Sequence, residues 1–283
     1  MTSGRTILLT FATHDFRTGQ RALATQARAV GFSDVIEASP ADLAGTDFAR
    51  RHESILSLPR GAGYWLWKPY LIARHVEMLG PDDVLIYSDS SNDGFYAWRS
   101  FPTALRARAA DGRQGFVIGP VLHQHGPLST WTKRDALILL GADRQEIVDR
   151  PTIQASPSVW RRTDAARAFL SDWLSACGDD RILTDRPNTQ GIPNHAGFRA
   201  HRHDQSVLSL IAYRDGYDVL DLANTGVFRL MALRPGSEMT NRFLKSPANI
   251  EALVRGIPPA YAMVSEQARL TWRRLRARHG RDL

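Results

Sequence analysis

The chain has 283 residues, 43% hydrophobic and 23% charged, a composition that excludes a disordered or fibrous protein and allows a substantial core. The lone cysteine, Cys177, excludes an intrachain disulfide framework and fits a reducing, cytoplasmic setting, and no apolar run reaches the roughly 18 residues that suggest a membrane span. The net charge is +7 with a pI near 10.0; of 36 basic residues only Lys68, Lys133 and Lys245 are lysines, so the charge is carried by arginine, the better planar partner for phosphate.

Residues 6–12 form a short apolar run without a cleavage site and read as a first strand, not a secretory signal. Residues 18–30 have helix-forming composition closed by Gly31-Phe32, and residues 34–38 read as a second strand. The chain therefore opens β–α–β, the start of a nucleotide-binding α/β domain. No Gly-x-Gly-x-x-Gly follows the first strand and no Walker loop occurs, which argues against dinucleotide or P-loop ATP binding. Residues 46–58 read as a helix and approach loop.

The centre of the chain is the stretch 60–94. Gly61-Ala62-Gly63 supplies backbone freedom, and Pro69 suits the first turn of a helix whose apolar face is Ile72, Val76 and Leu79. Gly80-Pro81-Asp82-Asp83 turns the chain into Val84-Leu85-Ile86-Tyr87, a continuous apolar strand that ends in Ser88-Asp89-Ser90-Ser91-Asn92-Asp93-Gly94. Ligands of open α/β sheets bind beyond the carboxyl ends of strands, and a carboxylate there suits a hard cation carrying a substrate phosphate. A polar exit turn has the same composition.

Further elements are a helix over 100–110, a strand over 115–120, a polar loop His123-Gln124-His125-Gly126-Pro127, and a helix with Leu137 and Leu140 entered through Trp131-Thr132-Lys133-Arg134-Asp135. Residues 151–156 read as a strand and 163–177 as a helix with an apolar stripe of Ala166, Phe169, Leu170, Trp173 and Leu174. Residues 178–199 lack periodicity and read as a functional lid. They lead to His201-Arg202-His203-Asp204-Gln205 and a helix over 207–211; residues 219–222 read as a late strand and the chain from 235 as helical pieces.

The pairs His123/His125 and His201/His203 each present imidazoles at a spacing that suits metal binding or polar loops, with His203 favoured by its neighbour Asp204. Asp204 reads either as an N-cap carboxylate or as a site residue. Cys177 reads as packing, and a serine-hydrolase elbow is absent from the sequence. Tyr64, Trp65, Trp67 and Tyr70 read as packing or as a platform for a base or sugar.

The block Gly63-Tyr64-Trp65-Leu66-Trp67-Lys68-Pro69, the following apolar helix and Asp83-Val84-Leu85-Ile86-Tyr87-Ser88-Asp89 resemble a bacterial family of GT-A-type glycosyltransferases found among capsule, O-antigen (lipopolysaccharide) and exopolysaccharide genes. The likeness continues, in order, through Trp131-Thr132-Lys133-Arg134-Asp135, Ile153-Gln154-Ala155-Ser156 and His201-Arg202-His203-Asp204-Gln205-Ser206. The resemblance implies a GT-A-like, Rossmann-like mixed sheet flanked by helices over 1–234, with a C-terminal helical extension over 235–283. It implies transfer of a sugar from a nucleotide-diphosphate sugar to a glycan or lipid-linked acceptor. Asp89 would be the metal and donor-sugar carboxylate. Thr10, Phe11 and Ala12 would lie beside the nucleotide, Lys68 and Arg60 would neutralise diphosphate, and Tyr64, Trp65, Ser90 and Ser91 would complete the donor side. Trp131, Lys133, Gln154, His201, His203 and Gln205 would approach from the acceptor side, with His203 as a second metal ligand.

The chain departs from the commoner Asp-x-Asp motif, since Asp89-Ser90-Ser91 offers one carboxylate and Asp93 is at the wrong distance. A Mn2+ or Mg2+ cofactor is thus expected on a reduced ligand set, with Arg and Lys as its substitute. Asp204 is the candidate for taking the acceptor hydroxyl's proton, and Asp89 the other catalytic carboxylate. Six arginines between Arg269 and Arg281, with Leu270, Trp272 and Leu275, read either as a basic amphipathic helix lying on an anionic membrane, which would place the protein at the inner face of the plasma membrane, or as a solvated helix packing a few apolar residues on the core. The alternatives are a sugar-phosphate nucleotidyltransferase, whose Gly- and Arg-rich first loop is missing here, and a non-catalytic polyanion-binding protein; nucleic acid is a less favoured partner because it leaves the Asp89 loop unexplained.

Overall fold

The computed structural model describes residues 4–29, 31–90, 114–119 and 121–219. Five strands form one open mixed sheet: β1 (Thr6–Phe11), β2 (Asp34–Ala38), β3 (Val84–Tyr87), β4 (Phe116–Ile118) and β5 (Ser158–Trp160), in the order β2-β1-β3-β5-β4. β1 runs parallel to both β2 and β3, with Phe11 opposite Ala38 and Leu9 opposite Tyr87. β5 is reversed between β3 and β4. The carboxyl ends of β1, β2 and β3 and the start of β5 therefore share one edge of the sheet, and that edge carries the polar loop after Tyr87.

Burial follows from covering. β1, β3, β4 and β5 are buried along their whole length, as the continuous apolar runs require when helices cover both faces. β2 is the edge strand beside β1, and it exposes Asp34 as a charge against further pairing. Helix α1 (Arg17–Ala29) turns Gln20, Leu23, Ala24 and Ala27 inward, one face at helical spacing. The Gln20 amide donates to the carbonyls of Ala38 (2.8 Å) and Thr10 (3.3 Å), tying α1 to the ends of β1 and β2.

The expected helix over 46–58 is split. Helix α2 (Asp47–Arg51), capped by Thr46 Oγ1 at the Ala49 amide, ends at His52, whose backbone (φ −116°, ψ 23°) leaves the helical region before a single turn over Glu53–Leu56. Helix α3 (Trp67–Glu77) buries Trp67, Lys68, Leu71, Ile72 and Val76. Helix α4 (Arg134–Leu139) is short, and helix α5 (Asp164–Cys177) is capped by Thr163 Oγ1 at the Ala166 amide (3.2 Å). α5 packs against α3 and against helix α6 (Asp204–Arg214). Phe169, Leu170, Trp173 and Cys177 line its buried face, each large apolar side chain contributing roughly 2 kcal/mol by leaving water.

The strand expected over 151–156 is a correction: those residues make only isolated bridges, Val121 to Ile153 and Pro127 to Pro151, and the fifth strand begins at Ser158. Pro151 and Pro157 carry no amide hydrogen, so a ladder cannot run through them. The Cys177 reading agrees with its place in the core, where burial pushes its thiol pKa well up. The helix over 100–110, the strand over 219–222, the extension over 235–283 and the basic tail lie outside the described residues, Val219 apart. No helix among the described residues is long and apolar enough to cross a membrane.

Candidate functional site

Between residue 60 and α3 the chain makes a left-handed turn. Gly61, Ala62, Gly63, Tyr64 and Trp65 have φ of 57°, 51°, 89°, 53° and 60°. For the three with side chains this conformation costs about 1–2 kcal/mol each. The two glycines are required by space as well. A Cβ on Gly61 would stand 2.5 Å from the Trp65 ring, and one on Gly63 would stand 2.6 Å from Leu56 Cα. Tyr64 N–H to Arg60 O (2.7 Å), Gly63 N–H to Leu58 O (2.9 Å) and Trp67 Nε1–H to Gly61 O (3.0 Å) hold the turn. Its product is the placement of Trp65 and Trp67 at the sheet edge, where Trp67 stacks on Phe11 at 3.8 Å.

One residue into α3, Lys68 is buried and lies between two carboxylates. Its Nζ is 2.8 Å from Asp204 Oδ2 and 3.3 Å from Asp89 Oδ1. The rings of Tyr87 (5.5 Å) and Trp67 (5.9 Å) face the same ammonium. Burial opposes the charge, but the carboxylates outweigh it and Lys68 is pushed up to about 12. Asp204, on the first residue of α6, goes the other way from an ordinary carboxylate: burial, with a smaller contribution from Asp89, raises it to about 6 against the pull of Lys68. The 2.8 Å contact of its Oδ2 with the Lys68 ammonium is a buried charge pair.

Asp89 differs from Asp204 in exposure, 48% against 6% for the side chains. It accepts a hydrogen bond from Tyr87 Oη at 2.5 Å, and its amide donates to Ser156 Oγ at 2.8 Å. Ser88 N–H donates to Leu9 O (3.0 Å) and Ser90 Oγ–H to Phe11 O, so the ends of β1 and the 153–156 block together fix the loop. Asp89 and Ser90 face a cleft of about 540 Å³ whose walls include Phe11, Phe16, Trp65 and Trp67. Ala12 also lines it, while Thr10 is wholly buried. A larger cleft of about 780 Å³, near His52 and Tyr70, gathers none of the expected site residues.

The structure thus brings Phe11, Ala12, Trp65, Asp89 and Ser90 to one cleft and places Lys68 and Asp204 beneath it. Both neighbouring carboxylates engage the Lys68 ammonium. The Asp204 carboxylate is buried against Lys68. Ser91 lies outside the described residues, as does Asp93.

The expected acceptor-side residues separate into two groups. Lys133 Nζ donates to the carbonyls of Arg186 (2.6 Å) and Thr184 (3.4 Å), and burial lowers its pKa. Asp135 accepts from the amides of Thr189 (2.6 Å) and Gln190 (3.1 Å). These two side chains anchor the segment 184–194, so the Trp-Thr-Lys-Arg-Asp block is the fastening of the expected lid. Trp131 donates to His125 O (2.7 Å) and carries the Arg202 guanidinium on its ring at 4.5 Å. His201 has both ring nitrogens engaged, Nε2 with Ile182 O (2.8 Å) and Nδ1 with the Lys133 amide (3.3 Å). Burial lowers its pKa well below the ordinary value. Gln154 and Gln205 are half-buried, and the Gln205 amide donates to Arg202 O.

His203 forms the second group with residues from the turn. Tyr64 meets its ring edge-on (4.8 Å) and Trp65 stacks on it (5.6 Å, 18°). Asp185, absent from the sequence-based site, lies 3.9 Å from His203 Nε2 and 3.3 Å from Arg60 Nη1. Its signal was its position in a long aperiodic segment. Tyr87 and Ser156, which hold Asp89, were visible only as parts of blocks.

For a cation, His203 faces Asp185, not Asp89, and among the described residues no three His, Cys, Asp or Glu side chains cluster as a ligand set. A Mg2+-like ion brought by a diphosphate takes one or two protein carboxylates and leaves the rest to phosphate and water. Half-exposed Asp89 fits that role. Comparison of the chain with family models, curated proteins and solved structures finds no match.

Proposed function

We propose that the chain is a GT-A-type glycosyltransferase that moves a sugar from a nucleotide-diphosphate sugar to an acceptor glycan in bacterial surface-polysaccharide synthesis. The observation that carries this reading is the cleft at the carboxyl edge of β1 and β3, where aromatic walls of Phe11, Phe16, Trp65 and Trp67 adjoin the Asp89 carboxylate. A base stacks on aromatic faces, and a carboxylate at a strand end suits the diphosphate-carried ion or the donor sugar. In the transfer, the acceptor hydroxyl oxygen bonds to the anomeric carbon, the bond from that carbon to diphosphate breaks, and the nucleoside diphosphate leaves with the electron pair and takes up the hydroxyl's proton. Mn2+ or Mg2+ on Asp89 would stabilise the leaving diphosphate as a Lewis acid. Lys68 and Asp204 hold Asp89 in place from beneath. The arginine-rich tail would keep the protein at the cytoplasmic face of the membrane, near lipid-linked acceptors.

The test is thermal stability of the full chain against UDP, GDP, CDP and dTDP and their common sugar conjugates, each with and without Mn2+. Binding to the folded state raises its stability. One nucleotide shifting the transition, and losing that shift in Asp89→Asn, is the expected result. A folded sample unmoved by every nucleotide would overturn the reading, and salt-sensitive binding to heparin in that sample would replace it with polyanion binding.

A further inference from the structure

The cluster of Arg60, Asp185 and His203 is built like a ligand site and is left incomplete. His203 Nδ1 donates to Leu183 O at 2.9 Å, which puts the lone pair on Nε2. That nitrogen is buried in a side chain only 3% exposed, and it has no hydrogen-bond partner. Asp185 Oδ1, at 3.9 Å, is itself an acceptor and lies beyond hydrogen-bonding distance, so two lone pairs face each other without a proton between them. A buried acceptor left this way is costly, and the backbone around it is costly too. His203 has φ 51° and ψ −124°, and its ring partners Tyr64 and Trp65 belong to the left-handed turn. Strain of this kind, on both sides of one contact, persists where the arrangement serves a site.

The chemistry of the missing group follows from what surrounds it. It must donate a hydrogen bond to Nε2, accept one from Arg60 and donate to Asp185, which are the exchanges of neighbouring hydroxyls on one ring. Arg60 and Asp185 balance in charge, so the site favours a neutral ligand over an anion. Tyr64 and Trp65 supply the aromatic surface against which a sugar's C–H face packs. Asp185 and Arg60 are 41% and 55% exposed and form the entrance. Trp65 is common to this cluster and to the cleft at Asp89, so a ring held here adjoins a donor held there.

The geometry points to Arg60, Asp185 and His203, under the Tyr64–Trp65 turn, as the subsite for a neutral sugar ring, one of whose hydroxyls displaces the Asp185 edge and donates to His203 Nε2. Its role as the acceptor subsite rests on the glycosyltransferase reading; its affinity for a neutral sugar does not.

The experiment is saturation-transfer NMR on the full chain with the methyl α- and β-glycosides of glucose, galactose, mannose and N-acetylglucosamine. The samples are wild type, Asp185→Ala, His203→Gln and, as a control in the larger cleft, Arg51→Ala. UDP, GDP, CDP and dTDP are titrated into the same samples. At least one glycoside is expected to bind wild type and Arg51→Ala alike and to bind Asp185→Ala at least about fivefold more weakly. Asp185 is a surface residue, so its variant keeps the test open if His203→Gln does not fold. Failure of every glycoside to bind folded wild type, or equal binding by Asp185→Ala, overturns the subsite. Nucleotide binding without glycoside binding removes the subsite and leaves the transferase reading; glycoside binding without nucleotide binding does the reverse.

Discussion

Asp204→Asn gives the sharpest physical test of the buried triad, because it acts through pH. The folded protein holds the Asp204 carboxyl near 6, above its ordinary 3.8, chiefly by burial. A raised carboxyl favours the folded state fully below the unfolded pKa, and that advantage is lost as pH rises through the folded value. At about 1.4 kcal/mol per pH decade, the ionised form at pH 7 costs about 3 kcal/mol, and about half of that is recovered by pH 5. Wild-type stability alone does not display this, because burial lowers His52, His75, His125, His201 and His203, and those groups destabilise the fold as pH falls below about 6.5. The difference between wild type and Asp204→Asn cancels the histidines, which both proteins share. Lys68 stays charged throughout, since its pKa is about 12. Urea unfolding at pH 7 and pH 5 should therefore show wild type gaining on the order of 1 kcal/mol on the variant as pH falls. A difference that is flat with pH, or that moves the other way, would refute a buried, ionised Asp204 at pH 7.

Gly63→Ala should destabilise the protein by about 2–3 kcal/mol, combining the left-handed φ with a Cβ 2.6 Å from Leu56 Cα, as read by the urea midpoint. Asp89→Asn, on a side chain 48% exposed, should leave the melting temperature within a few degrees while removing any Mn2+-dependent nucleotide shift in the thermal assay. Asp83 binds Arg5 through both Nε and Nη2 and is held down to about 2, first by those hydrogen bonds. Its stabilisation is present above pH 3.8 and is lost as pH falls through about 2, so an acid titration of Asp83→Asn should converge on wild type there. Removing residues 269–283 should reduce co-sedimentation with anionic vesicles and leave that with neutral vesicles unchanged; equal recovery from both would count against the tail as a membrane contact.

The strands that carry the site were legible because their signals are local. Val84-Leu85-Ile86-Tyr87 is apolar throughout because β1 and β5 flank it and helices cover it, and Asp89 follows at once because the chain leaves the sheet there. Glycine spacing at 61 and 63 marked a special backbone, though not its hand, since Ala62, Tyr64 and Trp65 carry no sign in sequence of a positive φ. The strand expected over 151–156 does not form because Pro151 and Pro157 bring no amide hydrogen to a ladder. Side-chain roles were the least legible. Lys68, Lys133, Asp135 and Asp204 stand in blocks that look like chemistry, yet all four hold loops or each other, over separations of 50 residues and more that no local pattern encodes.

That outcome changes what a charged motif means in this fold. A lysine beside an aromatic run invites a phosphate, but Lys68 is buried with Asp204 at 2.8 Å and Asp89 at 3.3 Å. Replacing a buried pair by apolar groups is often neutral, whereas removing one member leaves an uncompensated charge. The triad is therefore poorly explained as a device for stability. It is better explained by position: Asp204 begins α6, Lys68 is the second residue of α3 and Asp89 follows β3, so the ammonium joins three elements at one point of the sheet edge. Asp89 is the only member that reaches the cleft, and the other two fix where it stands. His203, one residue before Asp204, is fixed by the same junction, so the placement of the carboxylate at the cleft and of the unpartnered imidazole beside Asp185 depends on a single buried ion cluster.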